Sequence, residues 1–234
     1  MKTILITGAS RGIGLELASQ CLLQGHRVLG TCRDPAGAKK LQGLAGKSPE
    51  NLEILQLNVE DEASINEVAR KLGKRGEAVD ILFNNAGIID WRTMAEVDAA
   101  SMLQVYKVNV VGAMLVLRSF IPILGRAESP LVVNLSSRLG SIALRGNTQL
   151  GGAIAYSASK TALNMLTKQA SIDLAGDGIT VVSISPGWVR TDMGGPDAKY
   201  SVRESVERIL QNVASFTPEA TGKFFGEDGE ILPY

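Results

Sequence analysis

Short apolar runs alternate with stretches of helical spacing from one end of the chain to the other. Residues 3–6 are apolar and β-branched, as a strand buried on both faces requires. Runs of the same kind recur at 27–33, 52–57, 79–83, 130–135 and 179–184, with a last short one at 222–225. Between them, residues 15–23, 35–46, 61–73, 98–125, 156–175 and 200–213 read as helices. In 61–73, Ile65, Val68, Ala69 and Leu72 share one face. Residues 88–97, 141–152 and 188–197 read as loops, the last rich in turn formers and expected to be mobile. No repeat, low-complexity stretch or linker interrupts the alternation. The pattern predicts an α/β fold, one doubly wound parallel sheet of about seven strands with helices on both faces and right-handed crossovers. Residues 1–234 are expected to form a single domain.

The unusual segments fall at the strand ends, where ligands bind in such sheets. Thr7-Gly8-Ala9-Ser10-Arg11-Gly12-Ile13-Gly14 joins the first strand to the first helix. That is the context a dinucleotide-binding glycine loop needs: a tight turn at Gly8, backbone approach at Gly12, close helix packing at Gly14, and free N–H groups for phosphate. The second strand ends in Cys32-Arg33. Arg33 and Arg11 favour a 2′-phosphate and hence NADP, while Asp34, if shifted by a residue or two, could serve a ribose hydroxyl instead. Small residues in Asn84-Asn85-Ala86-Gly87 suit backbone lying against a flat ligand. Asn109, inside an apolar helix, needs a partner, either structural or a water. Tyr156 and Lys160 lie one helical turn apart on one face. An ammonium beside a phenol favours phenolate, so the pair predicts a lowered Tyr156 pKa and a usable proton donor or acceptor.

Composition mainly excludes. The 234 residues carry 24 Lys+Arg and 24 Asp+Glu, so no basic excess points to nucleic acid or an anionic membrane. Cys21 and Cys32 have no metal or redox spacing, and no metal is expected. His26, the only histidine, sits in a helix-to-strand turn, which argues against a Ser-His-Asp hydrolase. No apolar run is expected to reach membrane-spanning length and the N-terminus runs straight into a strand, so a cytoplasmic location is the default expectation.

In their order and placement these motifs resemble the short-chain dehydrogenase/reductase family over nearly the whole chain. The set comprises the loop from Thr7 to Gly14, Asn84-Asn85-Ala86-Gly87, Asn109, Ser137 with Gly140, Tyr156-Ser157-Ala158-Ser159-Lys160, and Pro186-Gly187 with Thr191. Thr31-Cys32-Arg33-Asp34-Pro35, Ser136-Ser137-Arg138-Leu139-Gly140 and Ala162-Leu163-Asn164-Met165 look like the C-factor/sniffer-type carbonyl reductase branch. The resemblance implies a Rossmann-type NADP(H)-binding domain that reduces a ketone or aldehyde. Tyr156 would exchange the proton, and Lys160 would hold the nicotinamide ribose and lower the Tyr156 pKa. Ser137 would hydrogen-bond the carbonyl oxygen, and Asn109 would hold a water. Gly8, Ser10, Arg11, Gly12, Ile13 and Gly14 would surround the phosphates and adenosine ribose, and Arg33 would take the 2′-phosphate. Asn58 and Val59 would flank the adenine, and Asn85, Ala86 and Gly87 would line the cofactor. Pro186, Gly187, Val189 and Thr191 would orient the nicotinamide.

Two departures stand out. Asn58 replaces a frequent aspartate yet keeps an acceptor. The 19-residue gap from Ser137 to Tyr156 is longer than in most relatives, which leaves Ser136 and Ser141 as alternatives to Ser137. Substrate loops are expected around 88–97, 138–152 and 188–200. Ile142, Leu144, Arg145 and Gln149 would form one wall, and Trp91, Leu144, Trp188 and Met193 suggest an apolar or aromatic substrate, with two of these four expected to touch it. A small-molecule carbonyl is the expected partner, and a homo-oligomer, dimer or tetramer, could form through the apolar helix 101–124. A C-factor-like signalling protein that uses NADP(H) as a sensory or structural ligand is the alternative. A 3-oxoacyl-carrier reductase is a third reading, mildly opposed by the balanced charge.

Overall fold

The seven apolar runs form seven parallel strands in one sheet, ordered β3-β2-β1-β4-β5-β6-β7. This computed structural model describes residues 1–146 and 151–234. The strands are β1 (Thr3–Ile6), β2 (Arg27–Cys32), β3 (Leu52–Gln56), β4 (Ile81–Asn84), β5 (Leu131–Leu135), β6 (Thr180–Ile184) and β7 (Phe224–Phe225). The helices are α1 (Gly12–Leu23), α2 (Lys39–Lys47), α3 (Glu62–Lys74), α4 (Ala99–Tyr106), α5 (Ala113–Leu124), α6 (Ile154–Asp173) and α7 (Val202–Ser215). The order reverses between β1 and β4, which opens a crevice at their carboxyl ends.

Strand side chains alternate between faces, so β1 feeds two cores. Ile4 and Ile6 pack with Leu17 of α1 and Val206 and Ile209 of α7. Leu5 packs on the other face with Ile65 and Leu72 of α3 and Val116 and Phe120 of α5. A polar chain crosses the interior beside them. Asn84 donates to Asn134 at 2.9 Å, Asn134 donates to Thr167 of α6 at 2.8 Å, and Thr167 meets Ser183 of β6 at 2.7 Å. Each missing link would strand a buried polar group, so the chain fixes where α6 lies along the sheet. That places the start of α6 above the carboxyl end of β5.

Two elements differ from the sequence expectation. Helix α2 begins at Lys39 rather than near Pro35, because the Asp34 carboxylate accepts the Gly37 N–H at 3.0 Å and holds 34–38 as a turn. The segment expected as one helix over 98–125 is α4, a π-helical stretch at Lys107–Gly112, and α5. Asn109 lies in that wider π stretch, a form that recurs at functional sites. Ala99–Leu124 as a whole is long and apolar enough to cross a membrane, which corrects the expectation that no run approaches that length. Its Val116, Phe120, Ile123 and Leu124 are buried in the core shared with α3, the environment of an interior helix.

Candidate active site

A cleft of about 460 Å³ runs along the carboxyl ends of the strands. It starts at Cys32, Arg33, Leu57 and Val59 at the ends of β2 and β3, passes over the glycine loop, and finishes at Leu135, Tyr156 and Lys160. The loop is built for close approach. A Cβ on Gly14 would lie 2.3 Å from the Gly8 carbonyl and 2.5 Å from the Asn85 amide, so no larger residue fits between helix and strand. Asn85 clamps the loop: its amide donates to the Thr7 carbonyl at 2.8 Å and to the Gly8 carbonyl at 3.2 Å. The Thr7 hydroxyl in turn accepts the Asn85 and Ala86 N–H groups, each at 3.0 Å. Helix α1 has no side-chain cap and no acid in its first turn. Its leading N–H groups therefore face the cleft with the positive end of the helix dipole behind them, as a pyrophosphate requires. The glycine cradle and the uncapped helix fit a dinucleotide.

At the far end, α6 presents Tyr156 and Lys160, both buried. The Lys160 ammonium lies 5.5 Å from the centre of the Tyr156 ring and donates to the Leu135 carbonyl at 2.6 Å. Ser137 is the side chain that acts on the Tyr156 phenol, lowering its pKa, and its own hydroxyl accepts Leu139 N–H at 3.1 Å. Neither rival serine acts on the phenol, although Ser136 lines the cleft and Ser137 does not. Ser136 donates to Asn164 at 2.7 Å. Ser141 donates to the Pro233 carbonyl at 2.7 Å and accepts from Leu144 N–H at 3.1 Å. Burial pushes the Tyr156 phenol up to about 12, against the smaller lowering by Ser137. Burial also pulls the Lys160 ammonium down to about 8. The expected lowering of the Tyr156 pKa is thus not found in the protein itself. Desolvation of the phenol outweighs an ammonium that is itself desolvated and turned to a carbonyl. A phenol at about 12 is fully protonated at neutral pH, the form a proton donor needs.

Gly140 explains how Ser137 reaches this position. The short 3-10 turn Arg138–Gly140 lies directly on α6, and a Cβ on Gly140 would come within 2.7 Å of Lys160 backbone and side-chain atoms. Gly140→Ala is expected to lift the turn off the helix, cost about 1–3 kcal/mol of stability and displace Ser137. Thermal melting should fall by several degrees, with any turnover falling at least tenfold. An unchanged melting temperature would contradict this packing.

Asn109 serves the architecture with its side chain. Its Oδ1 accepts Ile88 N–H, and its amide donates to the Ile88 carbonyl and the Ser159 hydroxyl, all at 2.9 Å. Both amide hydrogens are therefore committed. Ser159 donates to the Tyr156 carbonyl at 2.7 Å, so Asn109 ties the segment after β4 to the first turns of α6.

Most of the expected cofactor residues meet in the cleft: Gly8, Ser10, Arg11, Gly12, Ile13, Gly14, Arg33, Val59, Asn85, Ala86, Gly87 and Thr191 all line it. Asn58, Pro186, Gly187 and Val189 do not; the Asn58 side chain accepts Glu60 N–H at 3.2 Å and closes a turn. Asp34 is also absent from the lining. Of the four expected substrate residues, only Met193 lines the cleft. Trp91 is half exposed, and its carbonyl accepts the Ala153 N–H at the start of α6 at 3.3 Å. Trp188, equally exposed, donates its indole N–H to the Gly194 carbonyl at 2.8 Å. Leu144 belongs to the turn capped by Ser141, and Gln149 lies outside the described residues. The segment expected to be mobile after Trp188 is knitted into place: Arg190 N–H bonds the Tyr200 carbonyl at 2.8 Å, and Tyr200 N–H bonds the Trp188 carbonyl at 3.0 Å. Leu57, Lys40, Glu60 and Arg190 line the cleft without having been singled out in the sequence. Leu57 is the last residue of the run predicted as the third strand, next to Asn58, and was legible by register. The other three come from long-range packing.

The comparisons with known proteins agree with this geometry. The profile described as short chain dehydrogenase matches residues 2–200. The structure superposes on the NADPH-bound carbonyl reductase from chicken fatty liver with a TM-score of 0.95, at 37% identity, over 100% of this chain and 99% of that one. The carbonyl reductase Sniffer of D. melanogaster gives a TM-score of 0.93 at 33% identity, with both chains fully covered. C-signal of Myxococcus xanthus is 40% identical over 157 residues, covering 67% of this chain and 93% of that protein. An oxidoreductase of Schizosaccharomyces pombe, itself uncharacterized, is 32% identical across 100% of this chain and 98% of its own length. With its sheet order, glycine loop and Ser-Tyr-Lys constellation, this chain belongs to the short-chain dehydrogenase family of oxidoreductases, in the neighbourhood of the carbonyl reductases and C-signal.

Proposed function

We propose that this protein is an NADP(H)-dependent carbonyl reductase in which the whole chain works as one cofactor-and-substrate unit. The observation that carries the reading is buried Tyr156 with Lys160 beside it, at the end of a cleft that begins on an uncapped glycine loop, with Ser137 acting on the phenol. When bound, the nicotinamide supplies the hydride. The Tyr156 phenol, neutral at physiological pH, donates its proton to the substrate oxygen. The Ser137 hydroxyl donates a hydrogen bond to that same oxygen, where negative charge develops. Lys160, positioned by the Leu135 carbonyl, faces the cleft beside Gly87, where a Cβ would stand 3.7 Å from its ammonium. It is the group to hold ribose hydroxyls. Asn109 and Ser159 keep Tyr156 in register. Met193 and the apolar side of the cleft select a small, uncharged carbonyl compound.

The test is NADPH consumption, with NADH in parallel, against a panel of aromatic and aliphatic ketones and aldehydes. Turnover with NADPH supports the reading, and turnover with NADH alone overturns its cofactor assignment. The similarity to C-signal favours a second reading, in which NADP(H) is a sensory or structural ligand. Tight NADPH binding without turnover on a broad panel would select it. A second copy of the chain is a further proposed partner. Leu103 and Tyr106 of α4, and Met165 and Ile172 of the neighbouring α6, are exposed apolar residues, and light scattering would read the subunit number.

A further inference from the structure

Three cations stand at the β2–β3 end of the cleft and along its glycine loop: Arg11, Arg33 and Lys40. The two arginines, which the sequence singles out, are each matched by a carboxylate that lines the same cleft. Arg11 pairs with Asp192 at 2.8 Å, and Arg33 pairs with Glu60 at 3.5 Å. Glu60 is held in place by the Gln104 amide, which donates to its other oxygen at 2.8 Å. To a distant anion, each pair presents close to zero net charge.

Lys40 differs. It lies in the first turn of α2 and is exposed, and among the described residues its side chain makes no hydrogen bond or ion pair. The surroundings are arranged to leave its charge unbalanced. The first turn of α2 contains no acid, and its N-cap residue, Ala38, offers no side-chain oxygen to the free N–H groups. Asp34, the nearest acid in sequence, spends a carboxylate oxygen on Gly37 N–H and does not line the cleft.

Resting on the NADP(H) reading above, we propose that Lys40 is the residue that decides for a 2′-phosphate, with Arg33 held by Glu60 in a supporting role. A phosphomonoester brings close to two negative charges. Arg33 alone would meet that charge with Glu60 at its back, and the carboxylate would repel part of what the guanidinium attracts. Lys40 supplies the uncompensated positive charge. A ribose 2′-hydroxyl gains nothing from an added cation, so Lys40 acts on NADPH and not on NADH. An ammonium also acts as a point charge, so the contribution needs no planar, bidentate geometry.

The test uses the intact protein and two fragments that differ only in the 2′-phosphate, 2′,5′-ADP and 5′-AMP, titrated by calorimetry beside NADPH and NADH. Lys40→Met is expected to weaken 2′,5′-ADP and NADPH about tenfold and to leave 5′-AMP and NADH within about twofold. Lys40→Arg should restore most of the loss. The neighbouring exposed Lys39, which does not line the cleft, is the control, and Lys39→Met should leave all four ligands unchanged. The salt dependence of NADPH binding should also become shallower in Lys40→Met. Equal losses in Lys40→Met and Lys39→Met, or equal weakening of 2′,5′-ADP and 5′-AMP, would overturn the proposal. An unaltered NADPH preference in Lys40→Met that disappears in Arg33→Met would overturn it while leaving the cofactor reading intact. Failure of the unmodified protein to bind either dinucleotide would defeat the cofactor reading itself.

Discussion

Tyr156→Phe is expected to fold as the parent does, bind NADPH with an affinity within a few-fold, and reduce carbonyls about 10²–10⁴ times more slowly. The ring of Tyr156 is buried and packed, and phenylalanine fills the same space, so no cavity opens. What disappears is the hydroxyl that Ser137 contacts and that supplies the proton. Single-turnover rates with bound NADPH separate this chemical loss from binding. Residual turnover above about a tenth of the parent's would remove Tyr156 from the mechanism. The pH behaviour has a sign too. With its phenol raised to about 12, Tyr156 stays protonated from acid to mildly alkaline pH. Reduction should therefore show no loss from Tyr156 below pH 10. The stability from its neutral form is fully present below pH 10 and is lost as pH rises toward 12.

Lys160→Met should separate stability from activity. The Lys160 ammonium has its pKa pulled down by burial from 10.5 to about 8. Between those values the unfolded chain holds a proton that the folded chain has released, so raising the pH through this window stabilises the fold. Below it, at pH 7, keeping the charge buried costs about 3 kcal/mol. Methionine removes that cost but strands the Leu135 carbonyl, which now accepts at 2.6 Å, a loss of about 1–2 kcal/mol. The net expectation at pH 7 is a gain of about 1–2 kcal/mol, or about 2–8 °C in Tm. The gain should fade and reverse by pH 10. Turnover should fall at least a hundredfold, with the parent's kcat/KM declining above about pH 8 as Lys160 loses its charge. A Tm difference that does not vary with pH would show that burial is not what lowers this ammonium.

The sheet, its helices and the glycine loop were legible because each is written locally. Apolar runs such as 131–135 specify a strand buried on both faces, and Ile65, Val68, Ala69 and Leu72 specify one buried helix face. The spacing of Tyr156 and Lys160 on one face of α6 is likewise a property of any helix. Helix ends and irregular helices were less legible. The start of α2 depends on an Asp34 side chain folding back on its own turn, and the π stretch around Asn109 shows no marker in its residue types.

For this protein the sequence alone determined the parallel α/β architecture, the strand ends at which a ligand would lie, and the residue types able to bind a dinucleotide and move a proton. These depend on periodicity and on short-range sterics, which a linear chain carries in full. The tertiary structure decided which of three neighbouring serines meets Tyr156. It also decided that Trp91 and Trp188 serve loop and helix caps, and that Lys40 stands uncompensated while Arg11 and Arg33 are paired. It decided the direction of the Tyr156 and Lys160 shifts as well. Most of these depend on partners far along the chain, or on their absence, and on how much water burial removes. Both quantities are fixed only when the helices and loops are packed against the sheet.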